Sequence, residues 1–286
     1  MNSQAIDNPG HKAAMSAQWD AAATGWNSHS AIIRTWLGTA TDAMCRMAGV
    51  SPGSRVLDVA AGAGDQTLTL AERVGPSGHV LATDLSPAII ALARENASRA
   101  GLAQVETRVA DGEALGVSES SFDAAVCRLG LMFFPDPLQG LREIHRALRP
   151  GAGVCTMVFS RPERNPCIAI LMSTALEHAG LPARDPFAPG GLLSLGEPRR
   201  IDSLFRTAGF RDVATTALDA PFRLPSVDDY LAFVRSSAGP VLKILSGLSP
   251  TRAEAAWSDM RDRLDAFTTG DGWAGPNELL LTAGRR

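Results

Sequence analysis

The segment Val56-Leu57-Asp58-Val59-Ala60-Ala61-Gly62-Ala63-Gly64-Asp65-Gln66-Thr67 constrains this chain more than any other. An apolar run carrying an acid turns through glycines and opens a helix. Gly62 and Gly64 lack Cβ, so the backbone there can take positive φ and let a ligand approach closely. A second apolar run ends in Asp84, 20 residues beyond Gly64, within Thr83-Asp84-Leu85-Ser86. An acid in that place suits a ribose. The two turns together describe a nucleoside-cofactor site at the carboxyl edge of a parallel sheet. A dinucleotide fingerprint would carry a small third residue where Thr67 stands. Asp58, upstream of the glycines, would repel a pyrophosphate and attract an ammonium group. The expected cofactor is therefore a nucleoside with an amino-acid tail.

Strand and helix patterns alternate from Arg55 to Ser160. Strands are expected at 55–60, 79–84, 105–110, 122–128 and 153–160. The helices between them are set by apolar spacing, by Pro87 after Ser86 and by the Pro150-Gly151 stop. Such alternation implies parallel pairing with right-handed crossovers. Residues 13–48 read as two helices that could lie across the ligand edge. After Ser160 the alternation breaks into a helix around 168–179, a loop rich in Pro and Gly, and further helices over 197–208 and 226–268. Two late strands are expected at 213–218 and 278–283. The chain is read as an N-terminal helical cap over 1–50, a cofactor-binding core over 51–165, and a remainder over 166–286 that returns the last strands and adds helical substrate-cap insertions.

The formal net charge is −3 over 286 residues, which argues against a basic nucleic-acid face. Apolar residues make up 45 %, enough for a well-cored protein. The four cysteines, Cys45, Cys127, Cys155 and Cys167, show no CxxC spacing, so neither a zinc site nor a disulfide framework is expected. Nothing approaches the roughly 18 consecutive apolar residues of a membrane span, and residues 1–11 carry no signal-like run. A cytoplasmic protein is expected, and a homodimer is left open.

These motifs resemble the class I S-adenosylmethionine-dependent methyltransferases, and within them the ubiquinone/menaquinone C-methyltransferase-related group. The likeness rests on 56–64, Thr83-Asp84-Leu85-Ser86-Pro87, Ala110-Asp111-Gly112-Glu113, Phe122-Asp123, Arg128 to Asp136, and Leu141-Arg142-Glu143-Ile144 through Leu148-Arg149-Pro150-Gly151. Ala60 stands where many members carry glycine. The resemblance implies a doubly wound α/β fold: a mostly parallel, seven-stranded Rossmann-like sheet with N-terminal helices and a helical cap. It also implies S-adenosyl-L-methionine as cofactor, S-adenosyl-L-homocysteine as product and a small-molecule acceptor. Ala60, Gly62 and Gly64 would pass beneath the methionine part, with Asp58 orienting its amino group. Asp84 would accept both ribose hydroxyls and Leu85 would pack on the adenine. Asp111 would accept from the adenine amino group, with the backbone of Gly112 or Glu113 nearby, or else simply cap its own turn. Arg128, ending an apolar strand, needs an anion, either the cofactor carboxylate or one from the protein.

Methyl transfer gains mostly from alignment and exclusion of water. A base is needed only for an acidic acceptor. Of the histidines, His29 follows Trp26 between the two N-terminal helices and is the candidate base. Trp26, Phe133, Met172, Phe187, Tyr230 and Phe233 are candidates to line a partly apolar acceptor pocket. Carbon, oxygen, nitrogen and sulfur acceptors all stay open. A module that holds the cofactor without chemistry is the alternative. A nicotinamide oxidoreductase fits less well, because Tyr230 is the sole tyrosine and lacks a lysine four residues on.

Overall fold

The structure, a computed structural model, describes residues 9–286. Two helices open it, α1 (Pro9–Ser28) and α2 (Ser30–Ala48), the second closed by Gly49 at φ 80°. The alternating core follows as β1 (Arg55–Val59), α3 (Asp65–Val74), β2 (His79–Asp84), α4 (Pro87–Arg99), β3 (Val105–Val109), β4 (Phe122–Arg128), α5 (Pro137–Ala147) and β5 (Leu148–Phe159). The start of α4 is fixed as the sequence suggests, and that of α5 is built in the same way. Ser86 Oγ accepts from Ile89 N, Asp136 Oδ1 accepts from Gln139 N, and each cap is followed by proline. Then come α6 (Pro166–Ala179), α7 (Arg200–Thr207), β6 (Arg211–Asp219), β7 (Phe222–Leu224), α8 (Val227–Ser237), α9 (Gly239–Leu245), α10 (Pro250–Leu264), β8 (Thr268–Thr269), β9 (Gly272–Gly275) and β10 (Glu278–Arg285).

The main sheet has seven strands in the order β3-β2-β1-β4-β5-β10-β6. The pairs from β3 to β5 are parallel, while β10 runs antiparallel to both β5 and β6. The fold is thus the doubly wound, mostly parallel α/β sheet expected. Strand order reverses between β1 and β4, and a crevice opens beyond the carboxyl ends of strands at such a switch point. Both strands are buried on both faces, which is why they read as continuous apolar runs.

Three features depart from the sequence reading. Of the two N-terminal helices, α1 packs on α4 and α8, whereas α2 lies on β4, β5 and β10 as part of the helical layer. Helix α1 therefore supplies most of the cover over the ligand edge, while α2 contributes Trp36 to the cavity wall. A second, three-stranded antiparallel sheet, β7-β9-β8, had no legible signal, because its strands hold two to four residues. Strand β5 starts at Leu148 rather than Gly153, because Leu148 pairs with Phe122 before the register shifts. The four cysteines are free and buried in separate places, on α2, β4, β5 and α6.

The ends of the two switch-point strands are tightly fitted. Ala60 and Leu129 both sit in the left-handed region, at φ 55° and 56°. Such geometry costs a non-glycine residue about 1 kcal/mol or more. The Ala60 methyl is tolerated because it faces Gly130, whose missing Cβ leaves it room. Gly130→Ala should cost about 1–3 kcal/mol by overpacking against that methyl. The double variant Ala60→Gly/Gly130→Ala should recover most of the loss in denaturant unfolding, where the nearest neighbour becomes Cys127 Sγ at 3.2 Å. Additive losses would show that the two positions do not compete for the same space.

Candidate active site

The turn after β1 has Gly62 at φ 59° and Gly64 at φ 87°. Asp58 lies beneath it, 0 % exposed. Its carboxylate accepts from Gln66 Nε2 and, at 2.6 Å, from Thr67 Oγ1. Thr83 Oγ1 donates to its backbone oxygen at 3.2 Å. Burial pushes the Asp58 carboxyl up to about 7, against the pull of those two side-chain donors. Asp58 does not reach the cavity surface, but Gln66 does. Gly64 is likewise absent from the cavity wall. A Cβ there would meet Ala93 Cβ at 2.9 Å, so this glycine serves the close packing of α3 against α4. Ala60, Ala61 and Gly62 form the wall itself.

Asp84 stands at the end of β2 on the cavity wall. Its Oδ2 accepts from Gly62 N at 3.0 Å and its Oδ1 from Ser86 N at 3.0 Å. The carboxylate thus ties both turns together. Partial burial holds it above the usual carboxylate range, against those backbone donors. Leu85 and Ile89 continue the wall. Asp111, Gly112 and Glu113 follow on the loop after β3, and Gly112 leaves space for the Phe134 ring. Asp111 does cap its own turn, accepting from Glu113 N at 2.9 Å, and still faces the cavity.

Helix α1 closes this end. Lys12 Nζ lies 2.6 Å from Asp111 Oδ2 and 2.5 Å from Glu113 Oε2. Ser16 Oγ donates to Leu85 O at 3.2 Å, and Asp20 accepts from Ser86 Oγ and Ala88 N. Trp26 packs over Gly62. These contacts bring α1 down on the loops after β1, β2 and β3.

The anion that Arg128 requires comes from the protein. Its Nη2 lies 2.5 and 2.6 Å from the two oxygens of Asp65, at the start of α3, and Nη1 donates to Thr41 Oγ1 at 3.0 Å. The pairing has a local cause: the turn delivers Asp65 to the end of β4, and both side chains are about 95 % buried, at 5 % and 4 % exposure. The pair stays at the cavity wall.

Beyond it the cavity becomes apolar. Trp26, Phe133, Met172, Tyr230 and Phe233 all line it. Trp19, Trp36, Phe159, Phe222 and Ile168 join them. Trp36 packs on Phe222 at 4.6 Å and on Phe159 at 6.2 Å, and Trp19 on Phe133 at 5.3 Å. The tryptophans were visible as apolar points on α1 and α2, but helical spacing alone does not separate core from pocket wall. Phe187 is not part of the wall. It lies in the loop before α7, where its carbonyl accepts from Arg200 Nη1.

His29 is also outside the cavity. It sits at the joint of α1 and α2, with Nδ1 2.8 Å from Gly25 O and its ring edge-on to Phe233 at 5.3 Å. That placement lends no support to a base role. No group of His, Cys, Asp or Glu among the described residues could hold a metal ion.

The buried acid under the turn has a consequence for stability. A folded value near 7 against the ordinary 3.8 means that the folded state holds the proton more tightly. Stability in the ligand-free protein should therefore fall as pH rises from about 4 to about 7 and then level off. Asp58→Asn should flatten that slope in urea melts across the same range. An unchanged slope would place the titration elsewhere.

A family model for ubiE/COQ5 methyltransferases matches residues 31–175. A demethylmenaquinone methyltransferase of Deinococcus radiodurans is 32 % identical over 168 residues, covering 55 % of this chain and 68 % of that protein. One from Bacillus cytotoxicus is 36 % identical over 117 residues, covering 41 % of this chain and 49 % of that relative, so the chain spans about half its length. Among solved structures, the YcgJ protein of Bacillus subtilis aligns with a TM-score of 0.60 at 18 % identity, covering 87 % of this chain and 98 % of that one, a likeness of fold. The chain belongs to the ubiE/COQ5 methyltransferase family and is an S-adenosylmethionine-dependent methyltransferase.

Proposed function

We propose that the polar end of the cavity holds S-adenosylmethionine and the aromatic end a planar, mostly apolar acceptor. The observation that carries this reading is continuity. One cavity runs from Asp84 and Asp111, past Gly62 and the Arg128–Asp65 pair, into the chamber of Trp36, Phe222 and Tyr230. A module that merely held a cofactor would have no use for the second half.

The residues suit the group. Asp84 keeps lone pairs free on both oxygens after its two backbone bonds, enough for two ribose hydroxyls. Leu85 and Ile89 offer an apolar wall to the adenine. Asp111 can accept from its amino group while sharing its carboxylate with Lys12. The backbone of Gly112 and Glu113 borders the same place. Ala60 and Gly62 pass beneath the methionine part, and Gln66 stands between it and buried Asp58. Arg128 holds Asp65 in place beside the transfer point rather than binding the cofactor carboxylate. When bound, the cofactor supplies an electrophilic methyl carbon.

The chain then contributes alignment and dryness. Helix α1 excludes water from above, and the aromatic chamber orients the acceptor toward the methyl group. No histidine lies among the described cavity-lining residues. The acids there are Asp65, paired with Arg128, and the three at the polar end. The acceptor therefore brings its own nucleophilic atom. The relatives' name points to a quinone-type ring. In this chain, however, much of the chamber comes from α8 and the segment around Asn277, outside the matched residues 31–175. We further propose that α1 and the helices of 166–286 act together as the acceptor cap.

Calorimetric titration with S-adenosylmethionine should show saturable, micromolar binding. Asp84→Ala should weaken it about 100-fold, because a carboxylate accepting two hydroxyls is lost. His29→Ala should leave both binding and turnover close to wild type. Binding that survives Asp84→Ala would displace the cofactor from this place.

A further inference from the structure

The aromatic chamber contains two polar groups that the protein leaves unmatched. Tyr230, on α8, is 6 % exposed and lines the cavity. Its ring is stacked on Trp273 at 4.4 Å and edge-on to Phe222 at 5.5 Å, so its direction is fixed. Its hydroxyl makes no hydrogen bond to any described residue. Asn277, also 6 % exposed, lines the same cavity. Its Nδ2 donates to Gly275 O at 3.2 Å, while its Oδ1 accepts from none of the described residues. Both border the small sheet that carries Phe222, and Ala220 beside it donates to the Asn277 backbone oxygen at 2.8 Å.

Buried hydroxyls and amides normally find partners, and a tyrosine in a core usually satisfies its O–H. Other polar groups of the chamber follow that rule. Trp36 Nε1 donates to Ala220 O at 2.7 Å and Ser237 Oγ to Phe233 O at 2.5 Å. An unmatched donor and an unmatched acceptor, both in a chamber walled mostly by aromatic and aliphatic side chains, indicate that their partner is a ligand. Burial also pushes the Tyr230 phenol far above its ordinary range, which keeps the proton on it and makes it a donor rather than a base.

We propose that Tyr230 is the specificity-determining anchor of the acceptor site, donating its O–H to an oxygen on an otherwise apolar ring, with Asn277 Oδ1 placed to accept from a hydroxyl. The acceptor class is thus a hydroxylated or oxo-substituted ring, not a pure hydrocarbon and not a cation. This inference rests on the reading of the cavity given above. It deepens that reading with residues that lie outside the segment shared with the methyltransferase family.

The test uses 1-naphthol and naphthalene, which differ only in the oxygen, in equilibrium dialysis against full-length protein saturated with S-adenosylhomocysteine. Wild type should hold 1-naphthol about tenfold more tightly than naphthalene, and Tyr230→Phe should erase most of that preference. Affinity for naphthalene and for S-adenosylhomocysteine should not change. The melting temperature of Tyr230→Phe should equal or exceed that of wild type, because the hydroxyl removed has no protein partner. Undiminished preference for 1-naphthol in the variant would overturn the proposal. So would a lower melting temperature with both rings weakened, which would mark the hydroxyl as structural. Failure to retain either ring on S-adenosylhomocysteine-loaded protein would defeat it while leaving the cofactor site standing. Failure of S-adenosylhomocysteine to bind would instead defeat the broader functional reading.

Discussion

A carboxylate taken wholly out of water must be met by donors, and Asp58 is met by the first turn of α3. Gln66 and Thr67 can reach it only if the chain reverses sharply after β1. That reversal needs left-handed geometry at Ala60, Gly62 and Gly64. Because the turn is bare, a ligand can lie against its backbone. Because it is tight, Gly62 N comes to Asp84 and Asp65 comes to Arg128. The positions of Asp65, Gln66, Asp84 and Arg128 at the cavity wall follow from this one buried acid and the helix start that answers it.

The cavity is electrostatically divided by that arrangement. Its polar end gathers Asp84, Asp111 and Glu113, with Lys12 of α1 offsetting the last two. Midway along the cavity the charges cancel locally, since Arg128 and Asp65 neutralise one another out of solvent. Beyond it the walls are mostly aromatic and aliphatic side chains. A buried ion pair gives little net stability by itself, but removing one partner strands the other. Its place here is to hold the end of β4 and the start of α3 in a fixed relation at the cavity wall.

The sequence disclosed the sheet core in detail because each strand there is an apolar run bounded by turn residues or by helix caps. Asp84, Leu85 and the 111–113 loop were legible because they stand at strand ends, where topology alone fixes their direction. Residues whose direction depends on tertiary packing were not. Asp58 and Gly64 belong to the glycine turn in sequence, yet they point away from the cavity, into the protein and against α4. Arg128 has the same neighbours in sequence whichever anion it meets, and only the fold shows Asp65 beside it. Phe187 and His29 looked like pocket residues by chemistry but sit in a loop and at a helix joint. Trp19 and Trp36, absent from the pocket candidates, prove to be walls. The β7–β9 sheet, which backs the far chamber, is too short in each strand to leave a period.

The cysteines have a practical consequence. Cys45, Cys127, Cys155 and Cys167 sit on four different elements spanning the helical layer, the sheet and the cap, all out of solvent. Burial drives their thiols away from the reactive thiolate, to about 11 for Cys45 and about 12 for Cys127 and Cys167. The folded protein therefore presents almost nothing to an alkylating reagent, and each thiol becomes a local clock. The order in which the four are modified reads out which layer of the molecule breathes first.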